Sequence, residues 1–226
     1  MSITIIVKMR IGLSNNFVAT PCIIIVNKQK KLSNYKSCNL NVQAFVSSMY
    51  TVSFDIGTKN LAYVIVDSSL KIKVWAVVDI SSKSTLQTIN QLKALFDNEE
   101  INSETIKTVV LEKQPSRNPK MRVVENTIDV FFTMLGVTKV IHYSAKHKLG
   151  SIGKTIKGQK NYTMRKKYGM FMCVSFLKKT AETNLDSLVY YESHKKKDDL
   201  ADCLLQCISF LNKEMIDELS KCIAIV

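Results

Sequence analysis

The sequence predicts an α/β domain: a mixed five-stranded sheet flanked by helices. Three observations carry this expectation. Three strand-like runs lie close together at 50–56, 61–66 and 72–78; two more, 106–112 and 139–143, each follow a helix-like stretch; and further helical stretches come after the last strand. The order β-β-β-α-β-α-β is that of a mixed sheet covered by helices.

Each element has a local reason. In 50–56 side chains alternate across the sheet, so Val52, Phe54 and Ile56 share one face while Ser53, Asp55 and Gly57 share the other. A turn containing Gly57 leads into 61–66, and the first three strands are expected to be antiparallel. The stretch 84–96 reads as a helix with Leu86, Ile89, Leu92, Leu95 and Phe96 inward, followed by the apolar strand 106–112. A helix from about 120 to 135 carries Val123, Val124, Ile128, Phe131, Phe132 and Leu135, more apolar surface than one buried face needs. After strand 139–143, the Gly- and Lys-rich 150–160 reads as a mobile loop, and helices are expected at 162–179 and 198–211.

The chain has 226 residues, enough for one ordinary domain with a sizeable core. Lys and Arg number 32 against 19 Asp and Glu, a formal charge of +13, which favours a polyanionic partner through counterion release. The excess is concentrated: 130–181 holds eleven Lys or Arg and no acid. Residues 1–48 hold six Lys or Arg and no acid, and read as a basic N-terminal extension, either a flexible arm or an artefact of start-codon choice, with Met49 just before the first convincing strand. A mitochondrial presequence suits the absence of acids but not the scarcity of Arg. Neither apolar run in that segment reaches the roughly 20 residues needed to span a membrane. The six cysteines, Cys22, Cys38, Cys173, Cys203, Cys207 and Cys222, form no paired CxxC, and His142, His147 and His194 lack zinc-site spacing with them. Buried thiols in a reducing compartment are expected, without structural zinc.

Against this basic background four acids stand out. Asp55 lies at the end of the first strand, Glu112 ends an apolar run where an ionised carboxylate is costly unless paired, solvated or metal-bound, and Asp199 and Asp202 share a helix face three residues apart. Asp198, four residues before Asp202, is an equally good geometric partner, and an acidic first turn also suits the helix dipole.

SFDIGTKNLAYVIVD, VVLEKQPSRN, Tyr143-Ser144-Ala145-Lys146, Asn161-Tyr162 with Arg165-Lys166-Lys167, and KKDDLADCLL occur in this order. Together they resemble the Holliday-junction resolvases of poxviruses and related large DNA viruses, relatives of the bacterial RuvC resolvases with a ribonuclease-H-like fold. The resemblance covers roughly 50–212 and leaves the extension unmatched. It implies that Asp55, Glu112, Asp199 and Asp202 are the catalytic, metal-holding carboxylates, and it is what selects Asp199 over Asp198. It further implies phosphodiester hydrolysis with two Mg²⁺ ions about 4 Å apart, Mn²⁺ being a substitute suited to the same oxygen ligands. Lys113, Arg117, Lys120, Lys146, Lys148, Arg165, Lys166 and Lys167 become the expected phosphate contacts. Branched DNA is the expected substrate and a homodimer the expected assembly, with 120–135 as its surface, since a four-way junction has two-fold symmetry. Action is expected where viral DNA replicates, in the host cytoplasm, with mitochondrial and nuclear placement left open.

Other readings compete. Asp55-Ile56-Gly57-Thr58 also suits actin-like kinases, whose two related domains need a much longer chain. A ribonuclease acting on structured RNA shares the fold class, and a non-catalytic nucleic-acid-binding protein would use the basic segment alone.

Overall fold

A computed structural model describes residues 3–7, 22–26, 49–81, 84–94, 104–155 and 162–223. The chain divides into two units, 1–47 and 48–226. In the first, β1 (Ile3–Val7) pairs antiparallel with β2 (Cys22–Val26); the rest of the expected arm lies outside the described residues, as does 156–160 of the expected mobile loop.

The second unit is built on one sheet of order β5-β4-β3-β6-β7. Strands β3 (Tyr50–Ile56), β4 (Asn60–Asp67) and β5 (Ile72–Asp79) form an antiparallel meander, while β6 (Ile106–Glu112) and β7 (Val140–Tyr143) add in parallel. The β3–β4 turn is tight because Gly57 N–H donates to Asn60 O at 2.9 Å; a Cβ at position 57 would sit 2.9 Å from that oxygen. The parallel strands are reached through helices, as parallel neighbours require: α1 (Thr85–Lys93), opened by a Ser84/Gln87 capping box, and α2 (Pro119–Met134), opened by Pro119 and closed by Gly136 at φ +82°.

Strand alternation divides the apolar residues between two cores. Val52, Phe54, Ile56, Val109 and Leu111 pack with Leu92, Ile128 and Phe132 on the α1/α2 side. On the other side, Val64 and Trp75 pack with Phe176, Leu200, Leu204 and Leu205 from α4 (Tyr162–Lys179) and α6 (Lys197–Leu211). Helix α6 lies across the sheet, and its wholly buried Gln206 donates through Nε2 to Phe54 O at 2.9 Å and Ser53 Oγ at 3.1 Å.

Several expectations change. Leu86 is exposed; Thr88 and Leu92 are buried, Ile89 packs against the same core, and Leu95 and Phe96 lie outside the described residues. Of the apolar residues on α2, Ile128, Phe131 and Phe132 belong to the core; Val123, Val130 and Met134 remain exposed. Two helices not foreseen complete the α4/α6 side: α5 (Ala181–Ser193), through Tyr191, and α7 (Lys213–Ile223), through Ile216 and Leu219. A 3-10 turn, Ala145–His147, and the short α3 (Ile152–Thr155) follow β7. Among the described residues no helix is long and apolar enough to cross a membrane.

Candidate active site

The parallel pairing of β3 with β6 sets Phe54 opposite Leu111, so the residues that follow, Asp55 and Glu112, leave the sheet side by side on its α6 face. Between them lies a cation. Lys148 Nζ is 2.5 Å from Asp55 Oδ1 and 3.1 Å from Glu112 Oε2, and this lysine is only 5% exposed. The third contributor is α6: Asp202, one turn inside the helix, lines the same cleft as Glu112 and Lys148. Asp199 accepts from Asn60 Nδ2 at 2.9 Å, which ties the start of α6 to the β3–β4 turn. Asp198 turns away to pair with Lys166 of α4, whose ammonium also lies over the Tyr162 ring at 5.3 Å.

The electrostatics of the four acids differ for physical reasons. Burial raises Glu112 most, reinforced by its hydrogen bond with Asp55, and pushes it up to about 8. Asp202 is pushed up to about 6, again mainly by burial, against the lowering influence of Lys148. For Asp55 burial is more than offset by the Lys148 ammonium and by hydrogen bonds from Glu112 and Lys148, so it stays below the usual carboxylate value. Asp199 is raised by partial burial and by the neighbouring charge of Asp198. The cluster thus holds more carboxylate than Lys148 neutralises, a deficit that a divalent cation with oxygen ligands would fill. In donor chemistry the residues fit such an ion. As the side chains stand, among the described residues no three acidic, His or Cys groups converge on one ligating point.

A cleft of about 370 Å³ opens on the cluster, lined by Glu112, Lys148 and Asp202 together with Lys146, Arg165 and Lys166. A larger cavity of about 780 Å³ lies between the 145–153 segment and α7, but Asp217 is its one acidic residue and no carboxylate cluster faces it. Chemistry therefore favours the smaller cleft.

Residues 49–214 match the family described as Poxvirus A22 protein. The chain belongs to this family. Among solved structures, fowlpox virus resolvase in complex with its substrate Holliday junction DNA is similar at 25% identity and a TM-score of 0.53, over 73% of this chain and 98% of that one. Thermus thermophilus RuvC with a Holliday junction substrate is similar at 12% identity and a TM-score of 0.43, over 74% of this chain and 97% of that one. No curated protein matches at a significant level. The strand order and the likeness to the fowlpox protein bear out the ribonuclease-H-like fold expected from the motifs.

Within this A22-family fold the expected phosphate contacts separate into groups. Lys148 stands apart from the others: it is buried inside the carboxylate cluster and paired with Asp55, at the floor of the cleft it helps to line. Lys166 is engaged with Asp198. Lys146 and Arg165 face the cleft, Lys167 is exposed beside it, and Lys113 and Arg117 lie exposed on the loop after β6, with Lys120 at the start of α2 near Gly57 and Thr58. Three residues not foreseen join them. Asn60 orients Asp199, and Lys195 and Lys197 share a hollow of about 390 Å³ with Tyr162 and Lys167. The Asn60 role was readable only as part of the turn Gly57-Thr58-Lys59-Asn60; its partner lies 139 residues away.

Proposed function

We propose that this chain is an endonuclease that resolves four-way DNA junctions by metal-dependent phosphodiester hydrolysis at the Asp55, Glu112, Asp199 and Asp202 cluster. The observation that carries the reading is the gathering of these acids from β3, β6 and α6 around an undercompensated, cation-lined cleft, in a fold shared with a junction-bound viral resolvase. The four carboxylates would hold Mg²⁺, or Mn²⁺ in its place, which when bound supplies an activated water and charge stabilisation at the leaving oxygen.

This chain's own residues do the rest. Lys148 neutralises Asp55 and Glu112 where the scissile phosphate would enter. Asn60 holds the Asp199 carboxylate through one oxygen. Lys146 and Arg165 line the cleft and would receive strand phosphates, and Lys167, Lys195 and Lys197 of the neighbouring hollow would extend that cationic surface. Paired nicks on a two-fold junction call for a homodimer, for which the exposed Val123, Val130 and Met134 of α2 supply an apolar surface. Residues 49–226 would suffice for folding and cleavage, with 1–48 adding nonspecific DNA affinity, and the place of action would be the site of viral DNA replication, in the host cytoplasm.

The test is purified protein with Mg²⁺ on a synthetic four-way junction, beside duplex, flap and structured-RNA controls. Symmetric nicks confined to the junction are expected. Cleavage of the RNA alone would replace this reading with a ribonuclease, and binding without cleavage in Mg²⁺ or Mn²⁺ would leave a non-catalytic binder.

A further inference from the structure

Behind the cleft, on the α2 face of the sheet, a second charged cluster has no part in the reaction as described so far. Glu125 of α2 is 4% exposed, and a buried carboxylate must be paired and hydrogen-bonded to be tolerated. It has two partners: the Gln114 backbone N–H, 3.2 Å from Oε2, and His142 Nδ1 of β7, 2.6 Å from Oε1. The other ring nitrogen of His142 is 2.9 Å from Asp129 Oδ2, and Asp129 also accepts from Thr133 Oγ1 at 3.3 Å.

The cluster ends at a strand terminus that matters. Gln114 is itself buried, and its side-chain amide donates to the Glu112 carbonyl at 3.1 Å, while the intervening Lys113 N–H donates to Tyr143 O at 2.9 Å. A path of hydrogen bonds thus runs from His142 through Glu125 and Gln114 to the residue whose carboxylate enters the cleft. A charged pair of this kind contributes little to stability compared with apolar packing, so what it holds in place is the more informative property.

We propose that Glu125 and His142 are positioning residues for Glu112, forming a charged anchor on the opposite face of the sheet that fixes the end of β6. The proposal rests on Glu112 acting in the cleft. The anchor is complete only when His142 is protonated, because a neutral imidazole has one N–H to offer and both ring nitrogens face carboxylate oxygens. The groups that face it, Glu125 and Asp129, both come from α2, and their hydrogen bonds outweigh partial burial to hold His142 above its ordinary value. A raised folded value means that the anchor is intact at low pH and is lost as pH rises through it.

The experiment compares the full-length parent with His142→Gln, His142→Arg and Glu125→Gln in junction binding, in Mg²⁺-titrated cleavage from pH 6 to 9, and in metal-free melting over the same range. For His142→Gln, cleavage falls and the Mg²⁺ midpoint rises, each by about 10-fold, as is usual when a ligand's support is removed, while junction affinity stays within about 2-fold. The parent's advantage over His142→Gln, in rate and in melting temperature, shrinks as pH rises. His142→Arg restores the rate and removes that pH dependence. An unchanged Mg²⁺ midpoint, or a parent-to-variant ratio constant with pH, overturns the proposal. His142 is exposed, so its variants keep the test decisive if Glu125→Gln fails to fold. A parent that does not cleave junctions overturns the proposed function instead, and the metal-free melting curves then still decide whether the anchor exists.

Discussion

The two faces of the sheet bury apolar clusters of the same kind but balance charge differently. On the α2 face the buried acid Glu125 has His142 as a partner, with Asp129 sharing the same imidazole at the rim. On the α6 face Asp55, Glu112 and Asp202 act on a single buried ammonium, Lys148, and two of the three are pushed well above the usual carboxylate range. On the α2 face the second acid, Asp129, is solvated and the buried one has its own partner, whereas on the α6 face the acids that outnumber the ammonium are themselves buried, which marks a place built to receive a further cation. The backbone of β3 explains why both lie so close: successive residues point to opposite faces, so Phe54 completes a core and Asp55 opens a site.

The largest effect expected from breaking this contrast is on chemistry. Asp55→Asn and Glu112→Gln keep size and remove charge, and each should lower junction cleavage by about 10³-fold or more, the equivalent of about 4 kcal/mol of barrier. Junction binding should persist, because the cationic rim is untouched. A folded variant that cleaves at the parental rate would remove that residue from the machinery.

Lys148→Met sharpens the comparison from the other side. It leaves Asp55 and Glu112 buried without their ammonium, and removing one partner of a buried pair costs about 3–5 kcal/mol. Metal-free melting should fall accordingly, and saturating Mg²⁺ should recover part of the loss by supplying the missing charge. A melting temperature equal to the parent's would mean that Lys148 does not balance the cluster.

Smaller still is the effect of pH on the metal-free protein. Glu112 at about 8 and Asp202 at about 6 both bind protons more tightly folded than unfolded, so the stability they contribute is complete below about pH 4 and lost as pH rises towards 8. Asp55, held low by Lys148, contributes the opposite trend, confined to acid below its ordinary value of 3.8. Melting temperature without metal should therefore decline between pH 5 and pH 8, and Asp202→Asn should flatten the lower part of that decline. A flat parental curve would show that the cluster is already neutralised.

How much of this was legible depended on whether the cause was local. The five strands and their order could be read because apolar runs and alternation are short-range signals, and Asp55 and Glu112 could be placed at strand ends for the same reason. The ordered motifs added the junction-resolvase resemblance. Helix α5 was missed because its pattern is weak: Leu185 and Val189 are exposed, and its buried residues are the polar Asn184 and Tyr191. Helix α7 was missed because only Asn212 separates it from α6, with no Gly or Pro to announce a new element. The pairing of Lys148 with the carboxylates could not be read because it sits in an acid-free basic stretch, and its partner Asp55 is 93 residues distant. The choice between Asp198 and Asp199, open on helical spacing alone, becomes a difference of partners, Lys166 for one and Asn60 for the other.

The finest test separates two adjacent lysines on α4 that the sequence treats alike. Each free phosphate contact contributes about 0.9 to the slope of log affinity against log salt. Lys167 is exposed and lines the outer hollow with Lys195 and Lys197, so Lys167→Ala should lower the slope of junction binding by about that amount across all junction sequences. Lys166 already has Asp198 as a counterion, and a phosphate must compete with that carboxylate before any salt ion is released. Lys166→Ala should therefore change the slope by less than half as much as Lys167→Ala, and Asp198→Asn should raise junction affinity by freeing the ammonium. Fluorescence titrations at four salt concentrations would measure all three. Equal slopes for the two lysine variants would mean that the Asp198 pair dissolves in the DNA complex, and that the cationic rim acts as one surface from Lys146 to Lys197.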